Sequence, residues 1–385
     1  MFIDSMIPSG RIEVVDASNP LNVRLKVLKD PHCGLMGWYH FRASGIRNRR
    51  CHYRLVNAGE SRNVRLANRE EFADRWTNTG PLASYDCVNW FRIPAFYDGS
   101  EFSFEHCAES DICYYAAFAP FSQERDQVLL SRSLMSPLVS VNTLGRSIEG
   151  RCIDMLTVGS DVAGQKRVWI IARQHPSETQ GGFFIEGMLA RLLDAADPLS
   201  RELLRRAVIR IVPNMNPDGS AHGFSRSNSA GVNLNREWLA PSRERSPEVL
   251  CVRNAMERIG VDFCMDCHAD AELTHIFVCP SENVSTWHSG RRGVFEVFER
   301  AWAAASPDYG IGEPYPGGLP AQADESMCWN WVGNRFPQSL SVLLEQPFKD
   351  TRNTPVPETG WTPQRAARFG ASFVNALHAV CATAG

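Results

Sequence analysis

Before residue 122, apolar and aromatic residues fall at roughly alternate positions in short runs at 23–28, 38–42, 51–57, 102–106 and 112–118, separated by turn clusters. Period-two alternation without a long helical period predicts a small all-β sandwich over residues 1–122. From residue 123 the pattern changes. Strand-length apolar runs at 152–157, 168–172, 207–212, 261–266, 275–278 and 339–344 take turns with helical stretches at 123–134, 179–195, 247–259, 291–305 and 363–380. In the second of these helices Phe184, Met188 and Leu192 share one line, with Ile185 and Leu189 beside it. Pro247 after Ser246 predicts a helix start, with serine as the cap and proline in the first turn. Such alternation predicts an α/β domain over 123–385, built on a largely buried sheet. The stretch 308–334, rich in Gly, Pro, Trp and polar residues, reads as a long loop system of the kind that often carries function.

A chain of 385 residues exceeds the usual size of one core, which agrees with two domains. The net charge of -3 offers no electrostatic case for nucleic acid or an anionic membrane. No apolar run approaches the length of a membrane helix, and the N-terminus lacks the pattern of a secretory signal. Twelve cysteines without an export signal read as reduced thiols, and the expected setting is cytoplasmic. Cys264 and Cys267 form a CxxC, but no second pair stands at zinc-finger spacing.

The chemistry concentrates where strands end. Arg173-Gln174-His175-Pro176-Ser177-Glu178 follows the apolar run 168–172 and precedes the second helix. A His and a Glu three apart on a tight turn can face one point, and zinc accepts imidazole with carboxylate. The motif alone is weak, as His106-Cys107-Ala108-Glu109 illustrates. That copy leads into a strand and reads as structural. His268 ends the run after residue 261, offering a third ligand at another strand's carboxyl end, where open α/β sheets bind ligands. Glu345 ends the apolar run 341–344. A carboxylate there is costly to bury, and a general base beside a metal would explain it. Asn216-Pro217-Asp218-Gly219 has strong turn chemistry. In Asn233-Leu234-Asn235-Arg236-Glu237-Trp238 an arginine beside amides suits bidentate recognition of a carboxylate.

Together, HPSE, NPDG, NxNREW, the strand-end His and the late Glu resemble the zinc metallocarboxypeptidases of the carboxypeptidase A type (peptidase family M14). The cytosolic carboxypeptidase subfamily, which carries a β-rich domain ahead of the catalytic one, is the nearest in pattern. The likeness extends to Trp38-Tyr39-His40-Phe41-Arg42, Asp111 to Tyr115, and Leu144-Gly145-Arg146-Ser147. It implies a carboxypeptidase-type mixed sheet in the second domain and one Zn2+ per chain held by His175, Glu178 and His268. It further implies Glu345 as the residue that activates water and Arg226 as the group that polarises the scissile carbonyl. Asn235 and Arg236 match the pair that grips the substrate's terminal carboxylate. The partner implied is a peptide or protein C-terminus, with glutamate a candidate for the residue released. Two departures stand out. Asn233 occupies a place where many relatives have an Asp that orients a zinc-bound His, and the active-site Tyr of many relatives is not placed here, Tyr309 and Tyr315 being candidates by loop position alone. Within the same zinc site, a deacylase of small N-acyl amino acids is the enzymatic alternative; a catalytically silent binding module is the other. Oligomeric state is not legible.

Overall fold

The computed structural model describes residues 1–61, 74–312, 315 and 318–382. Among the described residues, ten strands precede the first long helix: β1 (Phe2–Asp4), β2 (Glu13–Asp16), β3 (Val23–Lys26), β4 (His40–Ser44), β5 (Arg50–Leu55), β6 (Leu82–Ser84), β7 (Phe91–Arg92), β8 (Ala95–Tyr97), β9 (Phe102–Cys107) and β10 (Ile112–Ala116). They form two five-stranded sheets, ordered β1-β4-β10-β6-β7 and β2-β3-β5-β9-β8. Alternate residues of each sheet point at the other, as period-two patterning requires. Tyr53 of one sheet lies 5.8 Å from Phe41 and 5.0 Å from Tyr115 of the other, ring centre to ring centre. This is the face-to-face packing of a sandwich.

The rest of the chain runs α1 (Gln123–Ser133), β11 (Val139–Arg146), β12 (Cys152–Val158), β13 (Lys166–Ala172), α2 (Gln180–Leu192), α3 (Pro198–Arg206), β14 (Ala207–Val212), α4 (Pro217–His222), α5 (Pro247–Ile259), β15 (Phe263–Asp270), β16 (Phe277–Pro280), α6 (Ser289–Ala305), α7 (Cys328–Arg335), β17 (Leu340–Pro347) and α8 (Pro363–Ala382). Seven strands make one mixed sheet, ordered β11-β12-β14-β13-β15-β17-β16. Its four central strands are parallel and both flanks antiparallel. One face packs on α2, α6 and α8 through Phe184, Trp302, Phe369 and Phe373. The other is covered by α5 and α7 through Val252, Met256, Trp331 and Val332. No helix among the described residues is long and apolar enough to cross a membrane.

Several sequence expectations need correction. The stretch 308–334 contains the start of α7, whose Cys328, Trp329, Trp331 and Val332 are buried; residues 313, 314, 316 and 317 lie outside the described residues. Asn216 to Gly219 opens α4, because Asn216 accepts from the Gly219 N–H and Pro217 takes the first helical position, where a missing N–H costs nothing. Ser246 stands at the N-cap of α5 with Pro247 in the first turn, as expected, but its side chain makes no capping bond; the hydroxyl donates instead to Glu237 at 3.1 Å. Cys264 and Cys267 point to opposite faces of β15, into different cores.

Helices α2 and α8 cross at Gly187 and Gly370. A Cβ added to Gly187 would stand 1.8 Å from the Ala367 carbonyl oxygen, and one on Gly370 would stand 1.9 Å from that of Phe184. The atoms met are backbone, so the helices themselves must separate. Gly187→Ala is therefore expected to lower stability by about 2 kcal/mol, within the usual cost of overpacking, and thermal melting of the purified variant checks it.

The two parts of the chain meet through buried cations. Arg92 of β7 donates to the carbonyls of Thr359, Phe348 and Trp361 at 3.1–3.2 Å. Lys349 donates to the Asp74 carbonyl at 2.7 Å, and Trp38 N–H to the Ser225 hydroxyl at 2.9 Å.

Candidate metal centre and active site

The turn after β13 starts at Arg173, a left-handed non-glycine residue with φ 60°. Such a conformation persists only where surroundings impose it. Here the buried guanidinium donates to the Phe121 carbonyl at 2.7 Å and the Ser220 hydroxyl at 2.9 Å. The turn then sends His175 and Glu178 towards β15. Parallel pairing of β15 with β17 sets His268 directly beside Glu345, so the third candidate ligand and the candidate base sit side by side on one face.

Ligand atoms of His175, Glu178 and His268, all buried, lie within 4.8 Å of one another. Each Nδ1 is 2.7 Å from one Glu178 oxygen, and the two Nδ1 atoms are 3.1 Å apart. Atoms bound tetrahedrally at zinc's usual bond lengths stand about 3.3 Å apart. The far nitrogens each face an oxygen. His268 Nε2 lies 3.0 Å from an Asp266 oxygen. His175 Nε2 lies 3.0 Å from Asn233 Oδ1, an atom that also accepts the Asn235 N–H at 2.9 Å and is thereby identified as the oxygen. With the ring protons on Nε2, facing these oxygens, two Nδ1 lone pairs and a carboxylate are aimed at one point. That donor set fits zinc, with the outer hydrogen bonds orienting each imidazole. Asn233 supplies the acceptor that an Asp would, but without its charge.

The three side chains perturb one another's titration. Burial, then the Arg226 guanidinium, pushes His175 down to about 4. Burial works against the charge on Glu178, yet His175 and His268 hold it well below the carboxylate range. His268 is drawn upwards, since Asp266 and Glu178 outweigh its burial.

Behind the cluster Gln174 donates to both Asp266 oxygens at 2.9 and 2.8 Å, and accepts from the Trp238 indole at 2.7 Å. Asp266 was not singled out in the sequence. Its signal was a carboxylate two residues before His268, hence on the same face of the strand.

Burial pushes the Glu345 carboxyl well up, and Glu178 and Asp270 add to this against His268 and Tyr315. Tyr315 donates to Glu345 Oε1 at 3.0 Å, whereas Oε2 is buried with no partner among the described residues. Tyr309 is spent on Glu299 at 2.8 Å, so of the two tyrosines only Tyr315 reaches the site. Beside it the walls are apolar: Leu273, Phe277, Cys279, Trp329 and Leu343.

Arg226 is half-buried on the loop after α4. Asn216 ties that loop to the metal turn, donating to the carbonyls of both Gln174 and Ser227 at 3.1 Å. Asn235 Oδ1 accepts the Cys328 N–H at 2.9 Å. Its Nδ2 lies 3.2 Å from His268 Nε2. Arg236 is half-buried and 3.5 Å from Asp324. His106 sits in the sandwich, 2.9 Å from the Tyr115 hydroxyl, away from the cluster.

Comparisons with known proteins agree with this geometry. The family model for zinc carboxypeptidase, peptidase M14, matches residues 131–273, and that for the cytosolic carboxypeptidase N-terminal domain matches residues 3–118. The chain is similar to a metallo-carboxypeptidase from Burkholderia cenocepacia, with 39% identity, a TM-score of 0.92 and 98% of each chain covered. A Pseudomonas aeruginosa metallo-carboxypeptidase solved with (2-guanidinoethylmercapto)succinic acid shows 36% identity, a TM-score of 0.91 and 98% coverage of each chain. Cytosolic carboxypeptidase 6 of Homo sapiens is 26% identical over 72% of this chain, which spans 59% of that protein's length.

Proposed function

The chain belongs to the zinc carboxypeptidase family and is a metallocarboxypeptidase, and we propose that it uses one zinc ion and Glu345 to release single residues from peptide C-termini. The observation that carries this reading is the convergence of the two Nδ1 lone pairs and the Glu178 carboxylate beside an unpartnered Glu345 oxygen. His175, Glu178 and His268 would hold the ion. When bound, zinc supplies a water of lowered pKa and polarises the scissile carbonyl.

The other roles fall to the chain itself. Glu345, kept basic by its burial, takes the proton from water and returns it to the leaving amine. Arg226 stabilises the oxyanion as the tetrahedral centre forms, and Asn235 and Arg236 hold the terminal carboxylate. In this scheme residues 1–122 form the first domain and 123–385 the catalytic one, and the protein works in the cytoplasm, as the names of its cytosolic relatives suggest.

Glutamate is the terminal residue we propose. The guanidinium of the compound bound to the Pseudomonas aeruginosa relative makes a basic residue the main competitor. Purified protein should be assayed for zinc and incubated with peptides differing only in their last residue, read by mass spectrometry. One zinc per chain with single-residue trimming, fastest at glutamate, is the expected result. Fastest trimming at lysine or arginine would overturn the glutamate reading alone. Bound zinc without trimming of any peptide would point to the deacylase of N-acyl amino acids, and no zinc at all would sink the site.

A further inference from the structure

The loop that carries Arg226 is held from the N-terminal part of the chain as well as from its own. Asp30, in the turn after β3, is 2% exposed. Its Oδ1 accepts the Ser225 N–H at 2.7 Å, and its Oδ2 accepts the N–H groups of Arg226 at 2.7 Å and Ser227 at 3.0 Å. The Ser227 hydroxyl adds a fourth bond at 3.3 Å. Three successive amides converging on one carboxylate make an anion nest. A buried charge held this way is costly to leave unpaired, so the loop and Asp30 stabilise one another's position.

The surroundings reinforce the clamp. Ser225 also accepts from Trp38 N–H at 2.9 Å, and its carbonyl accepts from the Ser177 hydroxyl, in the metal turn, at 2.7 Å. The loop's glycines sit tightly on the N-terminal part. A Cβ on Gly223 would meet the Ser9 carbonyl oxygen at 2.6 Å, and one on Gly231 would meet His32 at 2.4 Å.

We propose that Asp30 is a positioning residue for catalysis, fixing through these amides where Arg226 stands over the scissile carbonyl. The inference rests on Arg226 acting as the oxyanion donor. In Asp30→Asn one acceptor oxygen becomes an amide donor facing N–H groups, and the loop must shift. A displacement of about 1 Å in a catalytic group can cost about 100-fold in rate.

The test is a double-mutant cycle on zinc-loaded, full-length protein, with kcat and KM measured for wild type, Asp30→Asn, Arg226→Ala and the double variant. Expected are a kcat lowered about 10- to 100-fold by Asp30→Asn with KM changed less than about threefold, zinc content intact, and little further loss when Arg226 is already absent. Losses that simply multiply, or an unchanged kcat in Asp30→Asn, would overturn the proposal while leaving the oxyanion role in place. A harmless Arg226→Ala would remove both. Should Asp30→Asn fail to fold, Asp30→Glu carries the same cycle, keeping the charge but moving its oxygens by one methylene.

Discussion

Glu345→Gln is expected to keep one zinc per chain and to lower kcat by roughly 10²- to 10⁴-fold, the range lost with a positioned acid–base group. Glutamine retains the shape and can still accept from Tyr315, but it cannot take a proton. Measuring kcat and zinc content on one preparation separates this outcome from a damaged metal site. A variant that trims at the wild-type rate would sink the assignment.

The pH profile sharpens the expectation. Glu345 must be ionised to act, so the rate falls as pH drops through its pKa. Burial raises that pKa, whereas the hydrogen bond from Tyr315 lowers it by favouring the carboxylate. In Tyr315→Phe the acid-side inflection of kcat/KM is therefore expected to move to higher pH. A zinc ion draws both proteins' values down together and leaves the sign of their difference unchanged.

His268→Ala is expected to abolish trimming and to leave zinc well below one per chain, because two donors remain where three converged. The lost binding also shows in stability. Saturation at 100 times Kd contributes about 2.7 kcal/mol to the folded state, so added zinc should raise the melting temperature of the wild type and not that of the variant. Asp266→Ala acts on the same ligand indirectly. It removes the acceptor that fixes the His268 tautomer, and zinc affinity is expected to fall by about 10- to 100-fold. Titration against a competing chelator reads both variants. Full zinc occupancy in His268→Ala would show that the ion, if bound, sits elsewhere.

The sequence reading succeeded where local pattern and tertiary environment agree. Helices α5, α6 and α8 lie within two residues of the periodic stretches that predicted them, since each keeps one face on the core. β11 escaped notice because it is an edge strand with no residue fully buried, so it carries no apolar alternation. α7 was lost among aromatic and polar residues whose burial depends on β17 and α5 packing around them. The ligands were legible because each follows an apolar strand. Their supports were not. Asp30 lies 195 residues from Ser225, and Gln174 lies 92 from Asp266; nothing in a linear pattern announces such pairs.

Across the junction Arg92 and Lys349 bind carbonyl oxygens rather than side chains, and this makes mutational tolerance there lopsided. A carbonyl is present whatever residue bears it, so positions 74, 348, 359 and 361 can change identity without breaking these bonds while the backbone keeps its path. The two cations enjoy no such freedom. Losing Arg92 strands three acceptors at once, and losing Lys349 strands one. Divergence can therefore run freely at the acceptor positions on either side of the seam while one donor on each side keeps the halves in register.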